Sequence, residues 1–317
     1  GRYHWLGKLR DWLLDNSDRV MDTMQRETGK VRADASNEPT YLADTINFYG
    51  TQAAKFIGEE SVRPHSPLLA SKKLRVQYRP HPVVGIISPW NFPLILSVGD
   101  AIPALMAGAA VVVKPSEFTP LGLAEVIEAW KEEIGGPDVL DCVQGVGETG
   151  GALVDNVDFV QFTGSDRTGR KVMARAAETL TPVSLELGGK DPMIVLRDAD
   201  IDRAANAAAW GGMFNSGQVC ISVERIYVEE PAYDEFVGKL AAEVGRIRQG
   251  SDDARNPMDV GAMTSPNQTA IVAGQVDDAL ANGARALTGG KRVPGPGDYF
   301  EPTVLVDVDH SMKVMRD

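Results

Sequence analysis

Three short segments carry side chains able to bind an anion or hold a developing charge. In FTGSDRTG (162–169), Gly164 and Gly169 bracket the end of a β-rich run and the start of a helical stretch. The carboxyl end of a strand and the amino end of a helix together offer N–H groups and positive potential to a phosphate. The spacing is GxxxxG, neither the GxGxxG fingerprint nor a GK[ST] loop, so an anion site and an ordinary strand-to-helix turn both stay open. KPSE (114–117) leaves the run AVVV; Lys114 and Glu117 could hydrogen-bond ribose hydroxyls there, or the segment is a solvated loop with Ser116 capping a helix. SPWNFP (88–93) sets Asn91 among two prolines and two aromatics. Such a stiff segment can aim an amide at one spot, as an oxyanion donor must be aimed; the alternative is a corner with Trp90 and Phe92 in the core.

Two further candidates are single residues. Glu186 in LELGGK (185–190) ends the apolar run VSLEL. A carboxyl there is expected to lose hydration, which raises its pKa toward the range of a general base; pairing with a cation such as Lys190 is the alternative. Cys220 in NSGQVCIS (215–222) follows a helical stretch and the flexible pair Ser216-Gly217, a place from which a thiol reaches a cleft. The other cysteine, Cys142 within VLDCV, reads as inert packing. No histidine lies near Cys220 in sequence, so a papain-like pair has no support. His4, His65, His81 and His310 form neither HExxH nor a Cys/His zinc spacing, and no metal site is expected.

These residues need a scaffold, and the chain is long enough to supply one. Its 317 residues are 43% hydrophobic and 24% charged, an ordinary globular balance for about two domains. A net charge of −12 leaves no general attraction for nucleic acid or anionic lipid. The longest apolar stretch, Ala101 to Val113, falls short of the roughly 20 residues that span a bilayer. Two cysteines make no disulfide framework and fit a reducing compartment, the cytoplasm.

Short β-branched runs recur between helical stretches: VVGII (83–87), AVVVK (110–114), VLDCV (139–143), FVQF (159–162), PMIVL (192–196) and ERIYV (224–228). Leu121–Ile134, Thr168–Leu180 and Ile201–Asn215 are the helices between them, and another follows from Tyr233. The alternation predicts an α/β fold with an open, Rossmann-like parallel sheet covered on both faces, and a second α/β domain beyond a boundary near Gly188-Gly189. Ahead of the sheet, the spacing predicts a helical region over Tyr3–Arg26 stopped at Gly29, and a helix over Pro39–Phe56. The alternating segment Leu74–Tyr78 reads as a half-exposed strand in an excursion from the core.

In this order, SPWNFP, VVVKPSE, FTGSDRTG, LELGGKDP and NSGQVC resemble the aldehyde dehydrogenase superfamily over nearly the whole chain, and CISVERIYV (220–228) resembles members acting on succinate semialdehyde and on aromatic aldehydes. The resemblance implies NAD(P)-dependent oxidation of an aldehyde to an acid, with Cys220 as nucleophile, Glu186 as general base and Asn91 as oxyanion donor. The cofactor would lie along Ile87, Ser88, Pro89, Trp90, Lys114, Pro115, Ser116, Glu117, Gly164, Ser165, Gly169, Leu187 and Gly188. Glu117 accepting from both adenosine ribose hydroxyls would favour NAD, with NADP the alternative. The implied domains are a dinucleotide-binding domain of residues 1–59 and 80–188, an oligomerisation hairpin of residues 60–79, and a catalytic domain of residues 189–317. The implied partners are a small-molecule aldehyde and further copies, as a homodimer or homotetramer, with no nucleic acid and no membrane. Family members continue past Asp317 through a segment resembling EExFGP and carry N-terminal strands not found in these residues, so the piece alone is expected to be inactive. A cysteine-dependent ester hydrolase and a non-catalytic relative are the competing readings.

Overall fold

The computed structural model describes residues 1–252 and 255–317. Two units emerge from it: Gly1–Val20 with Glu38–Glu186, and Met21–Asn37 with Leu187–Asp317.

Three helices come first, α1 (Arg2–Asp15), α2 (Ser17–Thr28) and α3 (Arg32–Phe56). The region expected as one helical stretch therefore breaks at Asn16, whose side-chain amide donates to the Trp12 carbonyl at 2.9 Å. An Asn that satisfies a terminal carbonyl ends a helix as well as a turn would. Leu6, Leu9 and Leu13 of α1 are buried at helical spacing and form part of the first unit's core. Strands β1 (Glu60–Val62) and β2 (Leu74–Val76) form an antiparallel hairpin, Glu60 opposite Val76. All six of its residues are exposed, so β2 is not the half-buried strand its alternation suggested.

The main sheet then builds from β3 (Val83–Ile87), α4 (Asp100–Ala107), β4 (Ala110–Lys114), α5 (Leu121–Glu132), β5 (Leu140–Cys142), α6 (Gly147–Asp155), β6 (Phe159–Gly164), α7 (Asp166–Thr179) and β7 (Val183–Leu187). The strand order is β5-β4-β3-β6-β7, with β3 parallel to β4 and β6, and β4 parallel to β5. The long apolar stretch is α4, a turn at Gly108 (φ 110°) and β4. Ile86, Val113, Val160 and Phe162 are buried in the sheet, and Ile102, Leu123 and Trp130 in the helices. Gly85 lets α6 approach closely, since a Cβ there would lie 3.0 to 3.1 Å from Val157 and Leu153 side chains. The chain leaves β3 toward β5 on one side and returns to β6 on the other. That reversal makes the carboxyl ends of β3 and β6 a topological switch point, where open α/β sheets hold ligands.

In the second unit, β8 (Asp191–Val195) runs parallel to β9 (Val223–Val228), joined through α8 (Ile201–Met213). Helices α9 (Glu230–Gly245) and α10 (Pro266–Ala281) follow, then the antiparallel pair β10 (Arg285–Thr288) and β11 (Val304–Val306). Val195, Ala205, Ala208, Phe236, Leu240 and Val304 form its core. Met21–Asn37 belongs here and not with the first 59 residues as a block. The Ala262 N–H donates to the Gly29 carbonyl (3.0 Å) and the Arg32 N–H to the Asp252 carboxylate (2.6 Å), so hydrogen bonds from backbone N–H groups tie it in. Among the described residues no helix is long and apolar enough to cross a membrane, and no cluster of His, Cys, Asp or Glu could hold a metal.

Candidate active site

The sheet register gathers the first unit's candidates at one edge. Ile87 pairs with both Lys114 and Phe162, so the segments beginning at Ser88, Pro115 and Gly164 leave three adjacent strands side by side. The Ser88 N–H donates to the Lys114 carbonyl (3.1 Å), continuing the ladder into the loop. Ser88 is 4% exposed and its hydroxyl has no hydrogen-bond partner. A buried hydroxyl left unpaired is costly, and at a strand end it fits a site that a ligand completes.

Lys114 is buried while its Nζ donates to the Pro115 carbonyl (2.6 Å) and lies 3.6 Å from Glu117 Oε2. Burial pulls the ammonium below the usual lysine range, and Glu117 opposes that pull. Glu117 itself is 45% exposed along its side chain. The Ser116 hydroxyl accepts from the Phe118 N–H (3.3 Å) and caps no helix, because α5 begins only after Pro120. Trp90 is half-buried, and its carbonyl accepts from the Thr119 hydroxyl (3.4 Å).

Asn91 is fixed at one end, where its Oδ1 accepts from the Phe92 N–H (3.1 Å). The network thereby assigns which end of the amide is the carbonyl. Behind it the chain makes a π-turn over Ile95–Gly99 before α4. The fully buried Glu38 of α3 accepts from the Leu94 and Ile95 N–H groups at 2.8 and 3.1 Å, taking two donors that the turn leaves open. Glu38 was missed from sequence. Its signal was an acid on the stripe Ala35, Glu38 and Leu42, all of them fully buried.

At β6, a Cβ on Gly164 would lie 2.7 Å from the Phe162 ring, so any larger residue would have to displace that ring. Ser165 caps α7, its hydroxyl accepting from the Thr168 N–H (3.3 Å), and Gly169 is buried. Glu186 on β7 is exposed, as is Gly188, with Leu187 half-buried. The expected desolvation of Glu186 is therefore not found, because the strand's last residues emerge from the sheet. Lys190 is no counterion for it; it pairs with Glu224 (3.1 Å), while its carbonyl accepts from Arg225 (3.0 Å).

The second unit holds Cys220, which is exposed. It follows α8 and three successive left-handed residues, Asn215 (φ 51°), Ser216 (φ 60°) and Gly217 (φ 73°). Such backbone persists only when its surroundings fix it, and here they do. The Asn215 N–H donates to Asp34 (3.2 Å), the Ser216 hydroxyl to the Gly261 carbonyl (3.1 Å), and the Thr264 N–H to the Gln218 side chain (3.0 Å). Burial pushes the Asp34 carboxyl up to about 6, against the pull of Asn215 and Lys30, with Asp252 adding to the rise. Asp34 escaped the sequence reading, since it lies 181 residues from its partner. Cys142 is half-buried in β5, and burial with the neighbouring Asp141 charge pushes its thiol up.

The aldehyde dehydrogenase family profile matches residues 1–317. A 4,4'-diapolycopene aldehyde oxidase of Methylomonas sp. is 42% identical over 98% of this chain and 58% of its own. A protein of Mycolicibacterium smegmatis named "Putative succinate-semialdehyde dehydrogenase [NADP(+)]" is 42% identical over 98% of this chain and 60% of its own. The NAD+ complex of an aldehyde dehydrogenase from Bacillus cereus superposes with a TM-score of 0.93 at 32% identity, covering 100% of this chain and 64% of that one. The chain thus spans about three fifths of the length of the curated relatives it matches.

Proposed function

The chain belongs to the aldehyde dehydrogenase family, and from that premise we propose that the full-length enzyme oxidises an aldehyde to its carboxylic acid with NAD or NADP. The observation that carries the reading is the convergence of Ser88, Asn91, Lys114, Glu117 and Gly164 at one sheet edge, in a chain whose exposed thiol sits on a braced, left-handed loop. A buried, unpaired Ser88 hydroxyl and a lysine-carboxylate pair beside it are donors and acceptors suited to a dinucleotide's diol and phosphates. Ile87 to Trp90, Lys114 to Glu117, Gly164, Ser165, Gly169, Leu187 and Gly188 would hold it. When bound, it supplies the acceptor for hydride.

The chain's own groups do the rest. The Cys220 thiolate adds to the aldehyde carbon, because a neutral carbonyl does not readily release hydride and the tetrahedral oxyanion does. The Asn91 amide and the Cys220 N–H hold that oxygen, and losing one such donor costs about 3 kcal/mol of barrier. Glu186 takes a proton from the water that attacks the resulting thioester, and the C–S bond breaks to return the thiol. An exposed Glu186 can pass its proton to solvent.

The coarser units suggest finer roles: cofactor binding for the first and catalysis for the second, with the β1–β2 hairpin joining copies into a homodimer or homotetramer. Two free cysteines suit the cytoplasm. Succinate semialdehyde and aromatic aldehydes are the substrate candidates. The test is reduced-nicotinamide absorbance with an aldehyde panel and each cofactor. Turnover of aldehydes supports the reading, whereas ester cleavage without cofactor reduction would favour a hydrolase.

A further inference from the structure

The Cys220 thiol sits in a tight turn over residues 219–222, closed by the Ser222 N–H donating to the Val219 carbonyl (3.1 Å). Both ends of that turn are pinned. On the far side, the hydroxyl of the buried Ser222 donates to the Gly211 carbonyl of α8 (3.0 Å). On the near side, Gln218 is held twice, its Nε2 donating to the Asn215 carbonyl (3.0 Å) and its Oε1 accepting from the Thr264 N–H (3.0 Å). The Asn215 Nδ2 in turn donates to the Gln218 carbonyl (3.3 Å). An exposed thiol is thus mounted on a frame that starts at Asn215.

Asn215 is the first of three successive left-handed residues and is only 2% exposed. Left-handed backbone outside glycine needs an outside constraint. Its N–H donates to Asp34 Oδ2 at 3.2 Å, and Asp34 is only 7% exposed. Asp34 stands in the first turn of α3, where the positive end of the helix favours a carboxylate. Burial nevertheless pushes its carboxyl up to about 6, with Asn215 and Lys30 pulling it down and Asp252 adding to the rise. An acid kept where its ionised form is disfavoured lowers stability at neutral pH, and such groups concentrate at functional sites.

We infer that Asp34 is a positioning residue for acylation of Cys220: by accepting from the Asn215 N–H, it holds the left-handed backbone that sets where the thiol and the Cys220 N–H stand. Without that acceptor, Asn215 and Ser216 relax toward right-handed backbone, and the turn that follows them swings. The sulfur then remains exposed but no longer meets the aldehyde carbon in line. Asp34 acts through the backbone and exchanges no proton. This inference rests on the reading of Cys220 as nucleophile.

The test compares full-length wild type, Asp34→Ala and Asp34→Asn by the burst of reduced cofactor on mixing with aldehyde and NAD or NADP, and by alkylation of Cys220 with iodoacetamide followed on its peptide. A small electrophile needs only an exposed thiol, whereas acylation needs an aligned one. Asp34→Ala should slow the burst about 10- to 100-fold, as a small misplacement of a reacting group does, with alkylation within about 3-fold of wild type. Asp34→Asn keeps an acceptor oxygen and should restore the burst to within about 3-fold. If Asp34→Ala does not fold, Asp34→Ser, whose hydroxyl stops short of the Asn215 N–H, carries the same expectation. A burst unchanged in Asp34→Ala, equally slow in Asp34→Asn, or slowed only in step with alkylation would overturn the role of Asp34 and leave Cys220 as nucleophile. Turnover that survives complete alkylation of Cys220 would overturn both.

Discussion

Two thiols in one chain are distinguished by what surrounds them. Cys142 is held in a strand where burial and Asp141 keep it protonated, while Cys220 is exposed beyond a braced turn. The thiolate is the nucleophile, so Cys220→Ala should abolish dehydrogenation while dinucleotide affinity, measured by fluorescence quenching, stays within a few-fold. Cys142→Ala should keep activity and cost up to about 2 kcal/mol of packing. Alkylation that inactivates the enzyme through Cys142 would reverse the assignment. With the proposed cofactor site, Glu117 would govern a different choice. A 2′-phosphate placed beside its carboxylate would meet a repulsion of about 1 to 3 kcal/mol, or roughly 5- to 150-fold in favour of NAD, tempered by Lys114 at 3.6 Å. Glu117→Gln should raise kcat/KM with NADP relative to NAD. A wild-type preference for NADP of tenfold or more would contradict this role of Glu117.

Elements were legible in sequence wherever burial writes a pattern. β3, β4, β6, β8 and β9 are β-branched runs, and each lies within a residue or two of its expected place. Loops that leave their carboxyl ends were identifiable because the parallel register fixes which ends are neighbours. What sequence concealed is backbone-mediated. Nothing periodic marks Gly29 and Arg32 as ties to Ala262 and Asp252, or Asp34 as the brace of Asn215, since each bond joins a backbone group to a backbone or side-chain group far along the chain. The π-turn behind Asn91 was likewise hidden, because its stability comes from Glu38. Glu38→Ala should leave the buried Leu94 N–H and the part-buried Ile95 N–H unpaired, the buried one costing about 1 to 3 kcal/mol. Chemical denaturation should show that loss, and kcat should fall more than KM rises as the Asn91 segment loosens. Unchanged stability would mean that the turn holds itself.

Across the whole molecule, acidity works against the fold at neutral pH. The net charge is −12, and burial holds Asp34 and Asp100 at about 6 where an ordinary aspartate has 3.8. A folded-state value above the unfolded one gives stability that is complete below about 4 and is lost as pH rises through 6, up to about 3 kcal/mol for each group. Glu229 has the opposite sign, its carboxyl held at about 2 by Arg197, so its contribution is lost only as pH falls below about 4. The thermal midpoint should therefore be higher at pH 5 than at pH 7.5, and the double variant Asp34→Asn, Asp100→Asn should flatten that slope. A midpoint that rises from pH 5 to 7.5 would contradict these burial effects. Mass spectrometry of full-length Glu186→Gln, quenched after mixing with aldehyde and NAD or NADP, decides whether one cysteine carries the acyl group and one glutamate removes it. An acyl adduct is expected on the Cys220 peptide alone, arising with a burst of reduced cofactor. An adduct on Cys142, or cofactor reduction at the wild-type steady rate with no adduct, would contradict it.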